Sequence, residues 1–234
     1  MRKIQLCLIV IIGFSLISAI HVFAQSEQEL AKEKADQAIK LMDDGKLDES
    51  IVLLKEAQAL DKEEWTYPYE IAMATYMKKD FPAAIIILED LAANNNVNDR
   101  VFQLLGNAYS NLGKPEEATA KYDAGLEKFP SSGLLFMEKG TLALMQKNYD
   151  QAANFYEKGI EVDPLFPSNY YRVAALYLNS NFVLWGMIYG ELFMNLERNT
   201  QRTAEMSKAL YNAYKTEIKF GDDKSFSFSF CKIP

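Results

Sequence analysis

The chain has 234 residues, 49% of them apolar, and sets 25 Lys and Arg against 32 Asp and Glu for a net charge of −7. That balance argues against nucleic-acid binding, because neutralising phosphates supplies most of such affinity and no basic stripe is present. A single histidine and two cysteines leave little material for histidine-based nucleophilic triads or His/Cys zinc sites.

Residues 1–24 read as a secretory leader. Arg2 and Lys3 precede an apolar run from Ile4 to Ile20, and Val22-Phe23-Ala24 places small residues at the minus-three and minus-one positions of a cut after Ala24. Cys7 lies too early in the run for a lipoprotein cysteine. The expected location is periplasmic or secreted, with membrane association only if the leader stays on as an anchor. Cleavage removes His21, Cys7, Arg2 and Lys3, so 23 basic residues then face 32 acidic ones, a net charge of −9. With Cys231 as the only remaining thiol, an intramolecular disulfide is excluded.

Self-similarity organises the next 170 residues. Phe102, Leu105, Gly106, Tyr109, Gly113, Ala118, Tyr122, Gly125 and Pro130 align 34 residues on with Phe136, Lys139, Gly140, Ala143, Lys147, Ala152, Tyr156, Gly159 and Pro164, with six of nine slots identical. Continuing the register gives five units, near 31–64, 65–98, 99–132, 133–166 and 167–200, the outer ones less faithful. This spacing resembles the tetratricopeptide repeat, with its aromatic, Leu-Gly, Tyr, later Ala and aromatic, and closing Pro. The resemblance implies an all-α fold, a right-handed superhelical solenoid of about five helix-turn-helix units.

Each slot has a steric reason. Position eight (Ala38, Ala72, Gly106, Gly140, Ala174) is small where the two helices of one repeat cross. Position twenty (Ser50, Ala84, Ala118, Ala152, Gly186) is expected to be small so that the next repeat's first helix can approach. Gly186 and Gly190 make a flat stripe for the following element, predicted as a capping helix over 200–220 in which Ala204, Ser207, Leu210, Tyr211, Tyr214 and Ile218 fall at helical spacing and Gly221 ends the run. Glu191, Glu197, Arg198, Arg202 and Glu205 crowd this junction and are expected to knit into ion pairs that fix the cap. Trp65 and Trp185 read as packing residues.

The tail, 221–234, breaks the pattern. Phe226, Phe228 and Phe230 alternate with Ser225, Ser227 and Ser229, the period of a half-buried strand with nothing helical about it. The expectation is a strand opening a further domain beyond residue 234. The alternatives are a strand that completes a partner's sheet edge and a terminus that folds into the chain's own groove.

In arrays of the family resembled, the first helix of each repeat lines the binding groove at positions two, five, nine, twelve and thirteen. Transferred to this numbering, the groove residues are Tyr69, Met73, Tyr76 and Met77, then Arg100, Gln103, Asn107 and Asn111, then Met137, Thr141 and Tyr171. Methionine and tyrosine around an amide-rich middle suit adaptable recognition of a peptide. The family's clamp for a C-terminal carboxylate needs lysine or arginine beside asparagine, and only Asn107 fits.

No catalytic, cofactor or metal residues are assigned. Asp43-Asp44, Glu63-Glu64, Glu116-Glu117 and Asp222-Asp223 are adjacent pairs at loops and helix starts, where acidic residues are favoured electrostatically. The stretch GNAYSNLGK misses phosphate-loop spacing and ends before Pro115. The sequence therefore points to a non-enzymatic scaffold that binds a protein or peptide, a second copy of itself included. The alternative is the recognition module of a larger envelope enzyme or assembly factor.

Overall fold

The computed structural model describes residues 26–220 and 226–228. The leader to Ala24, His21, Cys7, Phe230 and Cys231 lie outside the described residues. The chain divides into two compact units, Met1–Val97 and Asn98–Pro234.

The first unit holds two helical hairpins. Helix α1 spans 26–43 and is followed by α2 (Leu47–Leu60), α3 (Thr66–Met77) and α4 (Phe81–Ala93). Ala31, Ala35, Ala38, Met42, Leu54, Ala57, Tyr67, Ile71 and Ala74 form its core. Alanine dominates because helices this close leave room for little else.

The second unit continues the pattern with α5 (Asp99–Asn111), α6 (Pro115–Lys128), α7 (Gly133–Met145), α8 (Tyr149–Val162), α9 (Pro167–Leu178), α10 (Val183–Leu196) and α11 (Gln201–Glu217). Helices α5 and α6, α7 and α8, and α9 and α10 pair as hairpins, and each first helix also meets the next hairpin's first helix. The all-α expectation holds within both units.

Local chemistry sets the boundaries. Asn98, Ser132 and Thr200 cap α5, α7 and α11 by accepting from the backbone N–H groups of Arg100, Leu135 and Thr203. Within the hairpins the turn falls at position fifteen, where Gly45, Lys79, Gly113 and Lys147 have φ of 77°, 63°, 73° and 62°. These residues are 34 apart and all left-handed, a conformation glycine adopts without penalty and lysine does not. The turn geometry is thus more faithful to the period than the side chains are.

Close approach fixes each hairpin. A Cβ at Gly106 would lie 2.1 Å from Tyr122 Cε1, and one at Gly140 would lie 2.4 Å from Tyr156 Cε1. Tyr122 and Tyr156 are almost wholly buried, each filling the space left by the glycine opposite. Position twenty behaves differently from expectation. A Cβ at Gly186 would meet Leu178 N at 2.5 Å, so this slot backs onto its own repeat's first helix. The following repeat instead abuts position twenty-seven, where Gly125 faces Leu135 and Gly159 faces Asn169. Asn169 is fully buried and donates from Nδ2 to the Gly133 carbonyl at 2.8 Å, tying α9 to the start of α7.

Helix α11 takes the register of a sixth first helix. It begins 34 residues after Pro167, and Met206 and Leu210 seat on Gly190. Its position eight is Lys208, an exposed long side chain where the earlier first helices carry alanine or glycine. The predicted 200–220 helix ends at Glu217, and Ile218–Phe220 (β1) pairs antiparallel with Phe226–Phe228 (β2). Ile218 stands opposite Phe228, Lys219 opposite Ser227 and Phe220 opposite Phe226. The predicted strand therefore pairs with residues assigned to the cap, whose β-branched isoleucine and aromatic phenylalanine suit a strand.

The Gly106–Tyr122 contact is testable by a double-mutant cycle. Overpacking costs about 1–3 kcal/mol, and the roughly 1 kcal/mol that Ala gains over Gly in a helix offsets only part of it. Gly106→Ala should therefore lower unfolding free energy in urea titrations. In Gly106→Ala/Tyr122→Leu the loss should be smaller than the sum of the single losses.

Candidate functional site

Among the described residues, cavities on the exposed faces of the first helices include one in the first unit and two in the second. In the first unit a cavity of about 470 Å³ is bounded by Lys32, Ala35, Asp36 and Ile39 of α1 and by Thr66, Tyr67 and Glu70 of α3, with Asp61 and Glu64 from the intervening turn. Burial, and then the charges of Asp61, Glu64 and Asp36, push the Tyr67 phenol up from its ordinary value.

The predicted groove residues of this unit are unevenly placed. Tyr69 is only 6% exposed and sits edge-on to Trp65, the packing role expected of that tryptophan. Met73 leans on the core, Tyr76 stacks edge-on against Phe81, and Met77 is exposed. None of these four lines the cavity between α1 and α3.

In the second unit α5 and α7 enclose a cavity of about 160 Å³ lined by Asn107, Ser110, Asn111, Tyr122, Glu138, Thr141, Leu142 and Met145. Asn107, Asn111 and Thr141 were anticipated from the register. Glu138 and Tyr122 were not, because they occupy positions six and twenty-four rather than a family groove slot. Gln103, another predicted residue, donates from Nε2 to Glu138 Oε1 at 2.6 Å, and the Tyr122 hydroxyl donates to Asn107 Oδ1 at 2.6 Å. Thr141 donates to the Met137 carbonyl at 2.9 Å. Arg100 is exposed and, like Gln103 and Met137, stands outside the cavity lining.

Burial pushes the Glu138 carboxyl up from its ordinary value, against the opposing pull of hydrogen bonds from Gln103 and Asn107 and the charge of Arg172. The carboxylate is thus held among amides in a half-enclosed space, where its charge is worth more than at an open surface.

The third cavity, about 510 Å³, lies between α9 and α11. It is lined by Tyr171, Ala175, Leu178 and Asn179 on one side and Glu205, Ala209, Asn212 and Ala213 on the other, with Val183 of α10 and Thr216 and Glu217 at the end of α11. The Tyr171 hydroxyl donates to Glu205 Oε2 at 2.9 Å. On α11 the second, fifth, ninth, twelfth and thirteenth positions are Arg202, Glu205, Ala209, Asn212 and Ala213, and the last four line the cavity. The cap thus extends the lining surface.

The charged junction resolves into separate partnerships. Arg202 grips Glu197 through two nitrogens, donates to Ser168 Oγ at 3.0 Å and lies over the Tyr171 and Phe193 rings at 5.4 and 5.5 Å. This pairing holds the Glu197 carboxyl below its ordinary value. Glu205 and Glu191 instead accept from the hydroxyls of Tyr171 and Tyr214. On the other side of α10, Glu157 accepts from Tyr177 and Tyr189, and burial with that charge drives Tyr189 up to about 12. Trp185 lies against Tyr189 at 6.4 Å yet is 53% exposed.

Among the described residues no group of three or more His, Cys, Asp or Glu is placed to hold a metal ion. Nor, among them, is any helix long and apolar enough to cross a membrane.

Comparison with known proteins supports the repeat family. Residues 104–169 match the tetratricopeptide repeat model. This interval contains α6, α7, α8 and every residue lining the cavity of Glu138. Human tetratricopeptide repeat protein 21B is 28% identical over 148 residues, 62% of this chain and 11% of that protein. Its mouse counterpart is 37% identical over 62 residues, 26% of this chain and 5% of that protein. The aligned part is thus about a tenth or less of these relatives' own length.

Among solved structures, a thermophilic TPR protein of Thermus thermophilus aligns with a TM-score of 0.63 at 15% identity, covering 77% of this chain and 99% of that one. Yeast Tom70 gives 0.70 at 15%, covering 82% and 41%, and Pseudomonas aeruginosa pilF gives 0.60 at 17%, covering 82% and 91%. At such identities the likeness establishes the tetratricopeptide repeat fold and nothing about ligands.

The raised Glu138 carboxyl has a signed consequence for stability. Below the unfolded value of about 4.3 the group is neutral in both states. As pH rises from there to the higher folded value, the unfolded chain ionises first and stability falls. Glu138→Gln should abolish this component. Its stability relative to wild type, measured by urea titration between pH 4 and 8 at about one-unit steps, should rise through the window and then level off.

Proposed function

We propose that this chain is a non-catalytic scaffold of the cell envelope that holds a protein or peptide segment along the exposed faces of its first helices. The observation that carries this reading is that groove residues one repeat apart close around common cavities. Asn107 and Asn111 of α5 meet Thr141 and Met145 of α7, and Tyr171 and Asn179 of α9 meet Glu205 and Asn212 of α11. A row of such depressions on parallel helices offers successive side-chain sites to an elongated ligand.

The lining supports binding over chemistry. In the second unit it combines amides, hydroxyls and flexible or small apolar groups, a mix that suits adaptable recognition of a peptide. The envelope assignment rests on the leader, with its basic start, apolar centre and Val22-Phe23-Ala24 end.

Two measurements test the reading. N-terminal sequencing of the chain recovered from the producing cell's envelope fraction should begin at Gln25. A photo-crosslinking residue placed at Met145 should give discrete adducts in those cells, and the same residue at the exposed Gln151 of α8 should not. An adduct of twice the chain's mass would identify a second copy as the partner. Equal labelling from both positions would overturn the groove assignment.

A further inference from the structure

We propose that the cavity floored by Glu138 receives a lysine or arginine side chain of the bound segment, an inference that rests on the peptide-binding reading above. Glu138 gives this cavity a carboxylate, a group that only accepts. The hydroxyl proton of Tyr122 is spent on Asn107 Oδ1 at 2.6 Å, that of Thr141 on the Met137 carbonyl at 2.9 Å, and the Asn111 amide donates to the Asn107 carbonyl at 2.8 Å. Both hydroxyl protons are thus engaged within the protein and do not compete for the carboxylate. A group offering only acceptors is met by one offering only donors, and ammonium and guanidinium are the side-chain groups of that kind.

Charge points the same way. Gln103 donates to Glu138 Oε1 at 2.6 Å and Asn107 also bonds this carboxylate. A carboxylate has about four lone-pair sites, so acceptor capacity is left for a cation. Amide donors orient Glu138 without neutralising it. The charged neighbour is Arg172 on α9, whose exposed position leaves its guanidinium in water and weakens its hold on the carboxylate.

Size and rim complete the match. About 160 Å³ is one side-chain head and part of its stem, some five times the roughly 30 Å³ share of one water. Leu142 forms apolar wall and Met145 stands 67% exposed at the rim. Long cationic side chains lay their methylene stems along such surfaces. The net charge of −7 also draws a basic segment toward the chain.

The test uses the chain immobilised and an oriented library of acetylated, amidated nonapeptides. The central position is fixed as Lys, Arg, Leu or Glu in separate pools and the other positions are drawn from Ala, Ser, Leu, Gln and Tyr. Wild type should retain the Lys and Arg pools about tenfold over the Glu pool, the scale of a half-buried charge-assisted contact. Glu138→Gln keeps the acceptor oxygen for Gln103 and should bring the cationic pools down to the level of the Leu pool. Thr141→Val, assayed in parallel, keeps the shape but removes lone pairs and should cut the ratio about threefold. This second variant decides the matter if the first does not fold.

Retention of peptides without preference for Lys or Arg overturns the inference and leaves the scaffold reading standing. So does a preference that survives Glu138→Gln. Failure of wild type to retain any pool overturns both.

Discussion

Everything in these units follows from how closely two helices of one hairpin can cross. Where position eight is glycine, the ring of the tyrosine sixteen residues later lies over the bare Cα, as Tyr122 does on Gly106 and Tyr156 on Gly140. The contact fills the hairpin core and also aims the tyrosine hydroxyl toward the first-helix face. There Tyr122 bonds Asn107 and Tyr156 lies 3.4 Å from Thr141. A packing constraint at the back of the hairpin thereby sets the polarity of the surface at its front.

That coupling explains why the candidate site was only partly legible. The period of 34, the small slots and the cap between Thr200 and Glu217 could be read because steric rules act on residue size, and size is visible in a string of letters. Asn107, Asn111 and Thr141 could be placed because they share a helical register with the slots that define the repeat. Glu138 escaped because it reaches the cavity from position six, next in the chain to the slot of Met137 but about 100° further around the helix, and Tyr122 because it comes from the second helix. Position twenty was assigned to the wrong neighbour for a similar reason: smallness announces a close approach without saying which helix makes it.

The tail shows a different limit. Alternating Phe and Ser told of a strand through Phe226, Phe228 and Phe230, while Ile218, which pairs with Phe228, also falls at the helical spacing that precedes it. Pattern within a short segment cannot arbitrate when one apolar residue satisfies both periods. The left-handed turns were the opposite case. Lys79 and Lys147 carry no signature of positive φ, yet they hold it at the slots where Gly45 and Gly113 do.

Repeat arrays are commonly treated as beads that can be lengthened, shortened or exchanged, since each unit touches only its neighbours. Asn169 limits that freedom here. Its buried amide serves one particular carbonyl, that of Gly133, and sits where the missing side chain of Gly159 leaves a gap. Removing the unit before it would leave that amide without its acceptor, and a generic unit with any side chain at the Gly159 slot would collide with it. The fourth and fifth units are therefore a matched pair, to be grafted or inherited together, and any chimera of this chain has to place its joint elsewhere.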